Sequence, residues 1–565
     1  MSRHVATAAV RIVAPAGLAA LAFLTLALSP PPRPVPALIG LGLAAAALAA
    51  AAAPAGGRPR LGVEVPARVL LAAGALAYAA RQGIGVVPLA VAGGLLLGLL
   101  LAEPLLHRLA RPWYEVANLP VAPGAAGTVV VGGLGWWINS AAILLTGLVA
   151  AAAGPGWLLP VPVVGAALVS GWLLVDGAWR WRTGHRAELA ALTEPLARLA
   201  PRFLLYFSAP PGSEYQVRMW LPHLRQLGEP FLVVLPERDN AAPLAATGVP
   251  VVVYETFQAF DAVMVPSLRA AFYVNNGMKN AHCVRYTHLR HVQLYHGDSD
   301  KAVTASPLNQ LFDQIFVAGQ AAIDRFAAYG VEIPPHRFRI VGRPQVAGLA
   351  LADRPIREVT APVVLYAPTW VGAHTDSNYC SLPIAERIVA ALLARGATVI
   401  MRPHPYSERD RASAAALRRV ETMLATDQAA TGRDHLWGPA ACERLSLFAC
   451  MDRSDAMVCD VSSVASEYLY TGKPFAITDM TGAGERFVET FPVARAAYVL
   501  PGDSGAAQLN DLLTELLERD RLAARRAELR TYYLGEIPSE RYAERFLTAA
   551  RQCLDTAPEQ ARSRV

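Results

Sequence analysis

Met457–Ile477 reads MVCDVSSVASEYLYTGKPFAI. Met457–Cys459 is a short apolar run suited to a buried strand, and Asp460 opens an acidic turn. Ser462 and Ser463 then stand where a helix begins. Gly472 is placed to close that helix in a left-handed cap, and an apolar strand resumes after Lys473-Pro474. A strand that brings two hydroxyls and free backbone N–H groups to a helix start is suited to an anion, phosphate above all. Asp-x-Ser-Ser taken alone also fits an ordinary cap.

Working outward, short apolar runs alternate with helical stretches across the last two thirds of the chain. Arg202–Ser208, Pro230–Leu235, Pro250–Tyr254, Ala271–Val274, His291–Tyr295, Gln314–Ala318 and Phe338–Val341 read as buried strands. After a break rich in charge and proline at 347–360 a second set follows: Val363–Tyr366, Thr398–Met401, Leu436–Trp437, Ala456–Cys459, Phe475–Ile477 and Tyr498–Leu500. Nearly continuous apolar strands in βα alternation imply parallel, helix-covered sheets. Two Rossmann-like lobes, 200–346 and 361–550, are expected, with a ligand cleft between them. The charged stretch Leu509–Leu547 reads as helical.

The N-terminal third has another character. Residues 1–180 hold no lysine, ten arginines and four acidic residues, Glu64, Glu103, Glu115 and Asp176. The rest of the 565-residue chain has 41 basic and 41 acidic side chains, so the whole formal charge of +6 lies in this third. The basic pI then reflects arginines flanking a membrane, and no nucleic-acid partner is expected. Apolar runs at Ile12–Ser29, Val35–Ala53, Val69–Ala80, Ile84–Ala102, Trp136–Ala153 and Trp157–Trp179 predict about six transmembrane helices within 1–182. Arginines favour alternate loops, which places both termini and the remainder of the chain in the cytoplasm of a multi-pass protein. Trp113–Gly135 reads as a cytoplasmic or interfacial connection. Six scattered cysteines without a CxxC pair fit reduced thiols.

Three further segments carry chemistry. Tyr295-His296-Gly297-Asp298-Ser299-Asp300-Lys301 follows a predicted strand, where open α/β sheets place ligands. His296 stands at that ligand edge, though for an isolated histidine a cap or loop role is the commoner one. Lys301 is one of only three lysines against 48 arginines, and Lys473 is another. Val364–Trp370 runs a strand into a Pro-Thr turn, where Thr369 can donate to a phosphate or simply close the turn. Val399–Pro405 ends a strand with Arg402 and His404 flanked by prolines, a pair suited to a pyrophosphate or to a structural role. Glu467, four residues after Ser463, can meet a ribose or serve as a helix-dipole carboxylate. His282, His288 and His291 lack the companion ligands of a metal site, and no metal or other cofactor is expected.

His-Gly-x-x-x-Lys, Tyr-Ala-Pro-Thr-Trp, Arg-Pro-His-Pro, Asp-x-Ser-Ser-x-x-x-Glu-Tyr and Gly-Lys-Pro, in that order, resemble the CDP-glycerol glycerophosphotransferase family over about residues 200–550. These are the teichoic-acid primases and polymerases of bacterial cell envelopes. The resemblance implies a GT-B-like fold, with acceptor in the first lobe and CDP-glycerol in the second. It implies His296 as catalytic base, His404 beside the donor pyrophosphate, and Ser462 and Ser463 on donor phosphates. Gly297, Lys301, Thr369, Arg402, Asp460, Glu467 and Lys473 complete the expected substrate-binding set. The partners implied are a CDP-activated donor, a lipid-linked or glycan acceptor, and membrane lipid. The chain departs from the family at Asp298-Ser299-Asp300, whose carboxylates would repel a polyanionic acceptor, and in carrying its own multi-span anchor. A nucleotide-sugar glycosyltransferase, or a scaffold that binds nucleotide without turnover, would share much of this pattern.

Overall fold

A computed structural model describes residues 3–30, 34–52, 64–110, 113–121, 127–183, 185–372 and 378–555. The chain forms two compact units. One comprises Met1–Glu115, Pro120–Pro195 and Glu255–Val263; the other comprises Val116–Leu119, Leu196–Tyr254 and Met264–Val565.

The first unit contains α1 (Arg3–Leu28), α2 (Pro34–Ala52), α3 (Glu64–Arg81), α4 (Val86–Ala110), α5 (Gly127–Ala151) and α6 (Val161–Thr183), one for each expected span. Four stretches are long and apolar enough to cross a membrane: Pro34–Ala51, Val86–Leu106, Leu134–Ala151 and Gly156–Trp179. A shorter apolar stretch, Pro15–Leu28, lies in α1. Leu97, Leu101, Leu168, Trp172 and Val175 remain exposed on the helices, as lipid-facing side chains do. α3 does not qualify by itself, because Glu64, Arg68 and Arg81 interrupt it. Arg68 is nevertheless buried, and donates through Nη1 (2.9 Å) and Nη2 to the two carboxylate oxygens of buried Glu103 on α4. Trp136 of α5 lies 5.5 Å from the guanidinium. Two charges cancelling inside an apolar bundle let α3 pack among helices more apolar than itself.

The second unit is built on two sheets. β1 (Tyr114–Ala117), β2 (Phe203–Tyr206), β3 (Phe231–Leu235), β4 (Val251–Tyr254), β5 (Ala270–Tyr273), β6 (Arg290–Gln293), β7 (Gln314–Val317) and β8 (Phe338–Ile340) form the first, in order β1-β4-β3-β2-β5-β6-β7-β8. β2 to β8 pair in parallel. β9 (Val363–Ala367), β10 (Thr398–Met401), β11 (Ala456–Cys459), β12 (Phe475–Asp479) and β13 (Tyr498–Pro501) form the second, in order β10-β9-β11-β12-β13, also parallel. Leu436 joins it only through an isolated bridge to Ile400. Alternate residues of β9 enter opposite cores: Val364 and Tyr366 on one face, Leu365 and Ala367 on the other. Both faces are covered, which is why these strands read as unbroken apolar runs.

Two features lie outside the sequence expectation. The segment 113–121, expected only to connect, supplies the edge strand β1, and Asn118 (φ 58°) donates through Nδ2 to the carbonyls of Ala245 (2.7 Å) and Val249 (2.8 Å). The last helix, Tyr542–Asp555, places Phe546, Ala550 and Cys553 in the core of the first sheet rather than the second.

Glu103→Ala leaves the Arg68 guanidinium buried without a counter-charge, at a cost of about 3–5 kcal/mol. Detergent-solubilised protein should lose thermal stability accordingly, and the exchange Arg68→Glu with Glu103→Arg should recover part of it. An Ala variant as stable as wild type would show that the pair does not hold α3 to α4.

Candidate active site

The first sheet ends at the ligand edge in an over-determined loop. Tyr295 takes φ 55°, a left-handed conformation costing a non-glycine residue about 1–2 kcal/mol. Trp220 Nε1 donates to its carbonyl (2.6 Å), and its own hydroxyl donates to the Thr304 carbonyl (3.1 Å). The next residue is His296, whose Nδ1 lies 2.8 Å from the Val274 carbonyl. A carbonyl only accepts, so Nδ1 carries the proton and Nε2 keeps its lone pair. Burial lowers this imidazole to about 4; the Val274 bond partly opposes the shift and Arg343 adds to it. His296 is therefore a neutral base with a fixed tautomer.

His404 follows β10 and has the opposite tautomer. Its Nδ1 accepts the Tyr406 N–H (3.1 Å), so the proton sits on Nε2, 3.4 Å from the Tyr215 hydroxyl oxygen. Tyr406 and Trp370 surround the ring at centroid distances of 5.0 and 6.1 Å. Burial holds His404 down at about 3, helped by the charge of Lys301 and by His296 and Arg409. Lys301 itself is lowered to about 8 by burial, against a smaller opposing pull from Asp460. Its ammonium lies 5.1 Å over the Tyr379 ring and makes no ion pair with a described residue.

The Ser462-Ser463 turn meets the His296 loop. A Cβ on Gly297 would lie 2.4 Å from Ser463 Oγ and 2.7 Å from its Cβ, so glycine is what lets the His296 loop touch the donor-lobe turn. Ser466 Oγ donates to the Asp298 carbonyl in the same contact. Ser462 Oγ is buried without a hydrogen-bond partner, and Ser462 makes no side-chain cap. The helix it precedes, Ser463–Tyr468, has only six residues, so its dipole adds little and the hydroxyls matter more.

The other expected binding residues are engaged within the protein. Asp460, fully buried, accepts the N–H groups of Thr369 (2.6 Å) and Ser381 (3.0 Å) and the Thr478 hydroxyl (2.6 Å). Arg402 Nη1 donates to the carbonyls of Ala441 and Leu445. Lys473 Nζ caps the helix Leu447–Arg453 through the carbonyls of Met451, Asp452 and Ser454. Glu467 is buried against Arg343, whose Nε (3.0 Å) and Nη2 (2.6 Å) both reach Oε1. His291 and His282 bond Tyr273 and Tyr254 respectively, and among the described residues no three His, Cys, Asp or Glu side chains converge as a metal site.

Residues 351–480 match the model of the family described as CDP-glycerol:poly(glycerophosphate) glycerophosphotransferase. The matched stretch is similar to that family's domain over these 130 residues. The match spans the Thr369, His404 and Ser462-Ser463 segments; the His296 loop precedes it. No curated protein matches the chain. Similar solved structures include the wall teichoic acid polymerase TagF, at 11% identity and TM-score 0.40 over 67% of this chain and 96% of that one. They also include Acinetobacter baumannii MurG, at 11% and 0.41 over 62% and 100%. A third is Anabaena Alr3699/HepE with UDP-glucose, at 15% and 0.38 over 61% and 99%.

Three residues close to the two histidines and the His296 loop belong to no motif. Tyr215 packs between the two histidines. Arg343 links Glu467 to the His296 carbonyl (2.6 Å). Arg325 pairs with Asp298 and with Asp300 (3.1 Å), so one of the two negative charges expected to repel an anionic acceptor is compensated internally. A lone arginine beside a lone glycine at Gly342-Arg343 gave no periodic or spacing signal.

Gly297→Ala drives a methyl group into Ser463. A displacement near 1 Å at a reacting centre can cost on the order of 10²-fold in rate, and that loss is expected here. Adding Ser463→Gly removes the overlapping atoms and should restore the melting temperature; a single variant with wild-type turnover would show that the loop needs no such contact.

Proposed function

We propose that this chain is a membrane-anchored transferase of cell-envelope polymer synthesis. It moves a phosphoglycerol, or related phospho-polyol, unit from a CDP-activated donor to a lipid-linked or glycan hydroxyl. The apolar region 1–182 anchors it, lobe 200–346 takes the acceptor and lobe 361–550 the donor. The arginine bias of alternate loops supports a cytoplasmic catalytic region, where a soluble nucleotide donor meets acceptors in the inner leaflet.

The observation that carries this reading is the pair of opposite tautomers within a glycerophosphotransferase match. His296 offers a lone pair at Nε2, and His404 offers a proton at Nε2. As the acceptor oxygen attacks the β-phosphorus, its proton passes to His296 Nε2. The bond from that phosphorus to the bridging oxygen breaks, and CMP leaves with the electron pair. The Ser462 and Ser463 hydroxyls donate to pyrophosphate oxygens and Lys301 supplies positive charge, with His404 beside the pyrophosphate and its Nε2–H turned to the Tyr215 hydroxyl. Asp460 contributes indirectly by fixing the Thr369 turn, and Arg402 by fastening the carbonyls of Ala441 and Leu445 to the strand end that carries His404. General-base assistance of this kind is worth roughly 10²–10⁴-fold.

Purified protein given CDP-glycerol and membrane lipid extract should release CMP, with EDTA making no difference. His296→Ala should lower turnover by roughly 10²–10⁴-fold while leaving donor binding nearly intact. Release of UDP or GDP from nucleotide sugars, with CMP absent, would move the protein to the glycosyltransferases. Turnover unchanged in His296→Ala would remove the base assignment.

The pH profile is a separate check. His296 titrates near 4 rather than 6.5, so its basic form persists as pH falls and the acid limb of kcat/KM should lie well below pH 6.5. Between those values the unfolded chain binds the extra proton, so stability should also fall as pH drops from 6.5 toward 4. Lys301 loses its charge above about 8, and the donor KM should rise there; Lys301→Arg should remove that alkaline rise. An acid limb at pH 6.5 would show that an ordinary solvent-exposed imidazole is the base.

A further inference from the structure

Tyr215 begins the short first-lobe helix Tyr215–Arg218, and its ring stands between the two histidines. The centroids are 6.1 Å from His296 and 6.2 Å from His404, each edge-on at 87°. Its phenol oxygen receives two donors. His404 Nε2 is one, at 3.4 Å. Gln216 Nε2 is the other, at 3.5 Å, and its amide orientation is set because Gln216 Oε1 accepts Asn275 Nδ2 (3.0 Å). With both directions of approach to the oxygen taken, the Tyr215 O–H proton has no acceptor among the described residues. A half-buried donor without a protein acceptor, beside a histidine that feels the charge of Lys301, is arranged for an anion.

We propose that Tyr215 is the positioning residue of the transfer reaction: from the first lobe it holds His404 of the second lobe as an Nε2–H donor, and turns its own O–H toward the leaving phosphate. This inference rests on the transferase reading above. The segment around Tyr215 is clasped to the segment after His404, since Ser213 Oγ meets the Tyr406 hydroxyl and Arg409 donates to the Pro211 carbonyl while lying over the Tyr406 ring. His404 therefore gains its fixed partner only with the lobes together, as they are here. In the reaction the acceptor proton goes to His296, the new oxygen–phosphorus bond forms, and the bond to CMP breaks. The charge left on the CMP phosphate is what the Tyr215 O–H meets by a hydrogen bond, while His404 Nε2–H donates to the Tyr215 oxygen behind it. No proton need leave Tyr215; burial pushes the phenol up to about 12, so it keeps its hydrogen throughout the working range.

The experiment compares full-length wild type with Tyr215→Phe, which keeps the ring and removes the hydroxyl, using CDP-glycerol and membrane lipid extract. The expected result is a kcat lower by on the order of 10²-fold, as for loss of one donor to a developing oxyanion. Donor KM should stay within about threefold and the melting temperature should be unchanged. A fluorinated tyrosine placed at 215 lowers phenol acidity's threshold, and should draw an alkaline limb of kcat to lower pH without altering KM. Equal turnover in Tyr215→Phe overturns the proposal, as does a loss that appears in KM or melting instead of kcat. An unmoved kcat profile with the fluorinated residue removes the hydrogen bond to phosphate. Wild-type protein that releases no CMP overturns the transferase reading and this inference with it; turnover without hydroxyl dependence overturns the inference alone.

Discussion

One buried guanidinium holds the His296 loop and both lobes of the α/β unit in a single arrangement. Arg343, 4% exposed, follows β8 in the first lobe and gives Nε and Nη2 to Glu467 on the second-lobe helix after the serine turn. The same Nη2 reaches the His296 carbonyl, and the Trp220 ring lies 5.8 Å beneath. Trp220 in turn donates to the Tyr295 carbonyl. Consecutive carbonyls of the strained Tyr295-His296 step are thus held by two side chains that stack on each other, while Val274 holds the imidazole. Strain of that kind persists where surrounding contacts over-determine it. Removing either member of the ion pair would bury an unpaired charge, at about 3–5 kcal/mol. Lobe contact and base orientation consequently depend on the same bonds.

A second brace uses the carboxylates that the sequence analysis assigned to repulsion. Asp300 accepts Arg325 Nη2 (3.1 Å), the Val493 N–H (2.9 Å) and the Tyr533 hydroxyl (2.7 Å), the last two from the second lobe. Asp298 takes the other side of Arg325 and gives its carbonyl to Ser466. A buried carboxylate with three donors cannot also present its charge to a ligand. The electrostatic objection to an anionic acceptor is thereby halved, since Arg325 offsets one of the two carboxylates.

The strands were legible because both faces of each are covered, which writes burial into every residue rather than every second one. His296, Gly297, His404 and Ser463 were legible because each sits where a parallel strand ends, and the fold collects strand ends at one edge. Side-chain direction is not written there. Glu467 and Lys473 lie in the same motif as Ser462, yet one turns inward to Arg343 and the other caps a helix through three carbonyls. Residue type at a strand end says that a polar group is wanted, not whether a ligand or the protein receives it. Tyr215 and Arg343 were illegible for a different reason: each acts across the lobe boundary from a segment with no pattern of its own. The return of Tyr542–Asp555 to the first core was hidden likewise, since an amphipathic helix does not state which sheet it covers.

The cations near the two imidazoles serve two ends at once. Burial is the largest cause of their low proton affinity, and the charges of Arg343 near His296 and of Lys301 and Arg409 near His404 add to it. On the proposed reading, a pyrophosphate entering between Lys301 and the serine turn brings negative charge into that field. Each unit of opposite charge close to a buried imidazole favours its protonated form, so the donor raises the basicity of His296 from its unliganded value near 4. Base strength then follows donor occupancy. With a donor bound, the charge that is to be transferred also strengthens the base that starts the transfer.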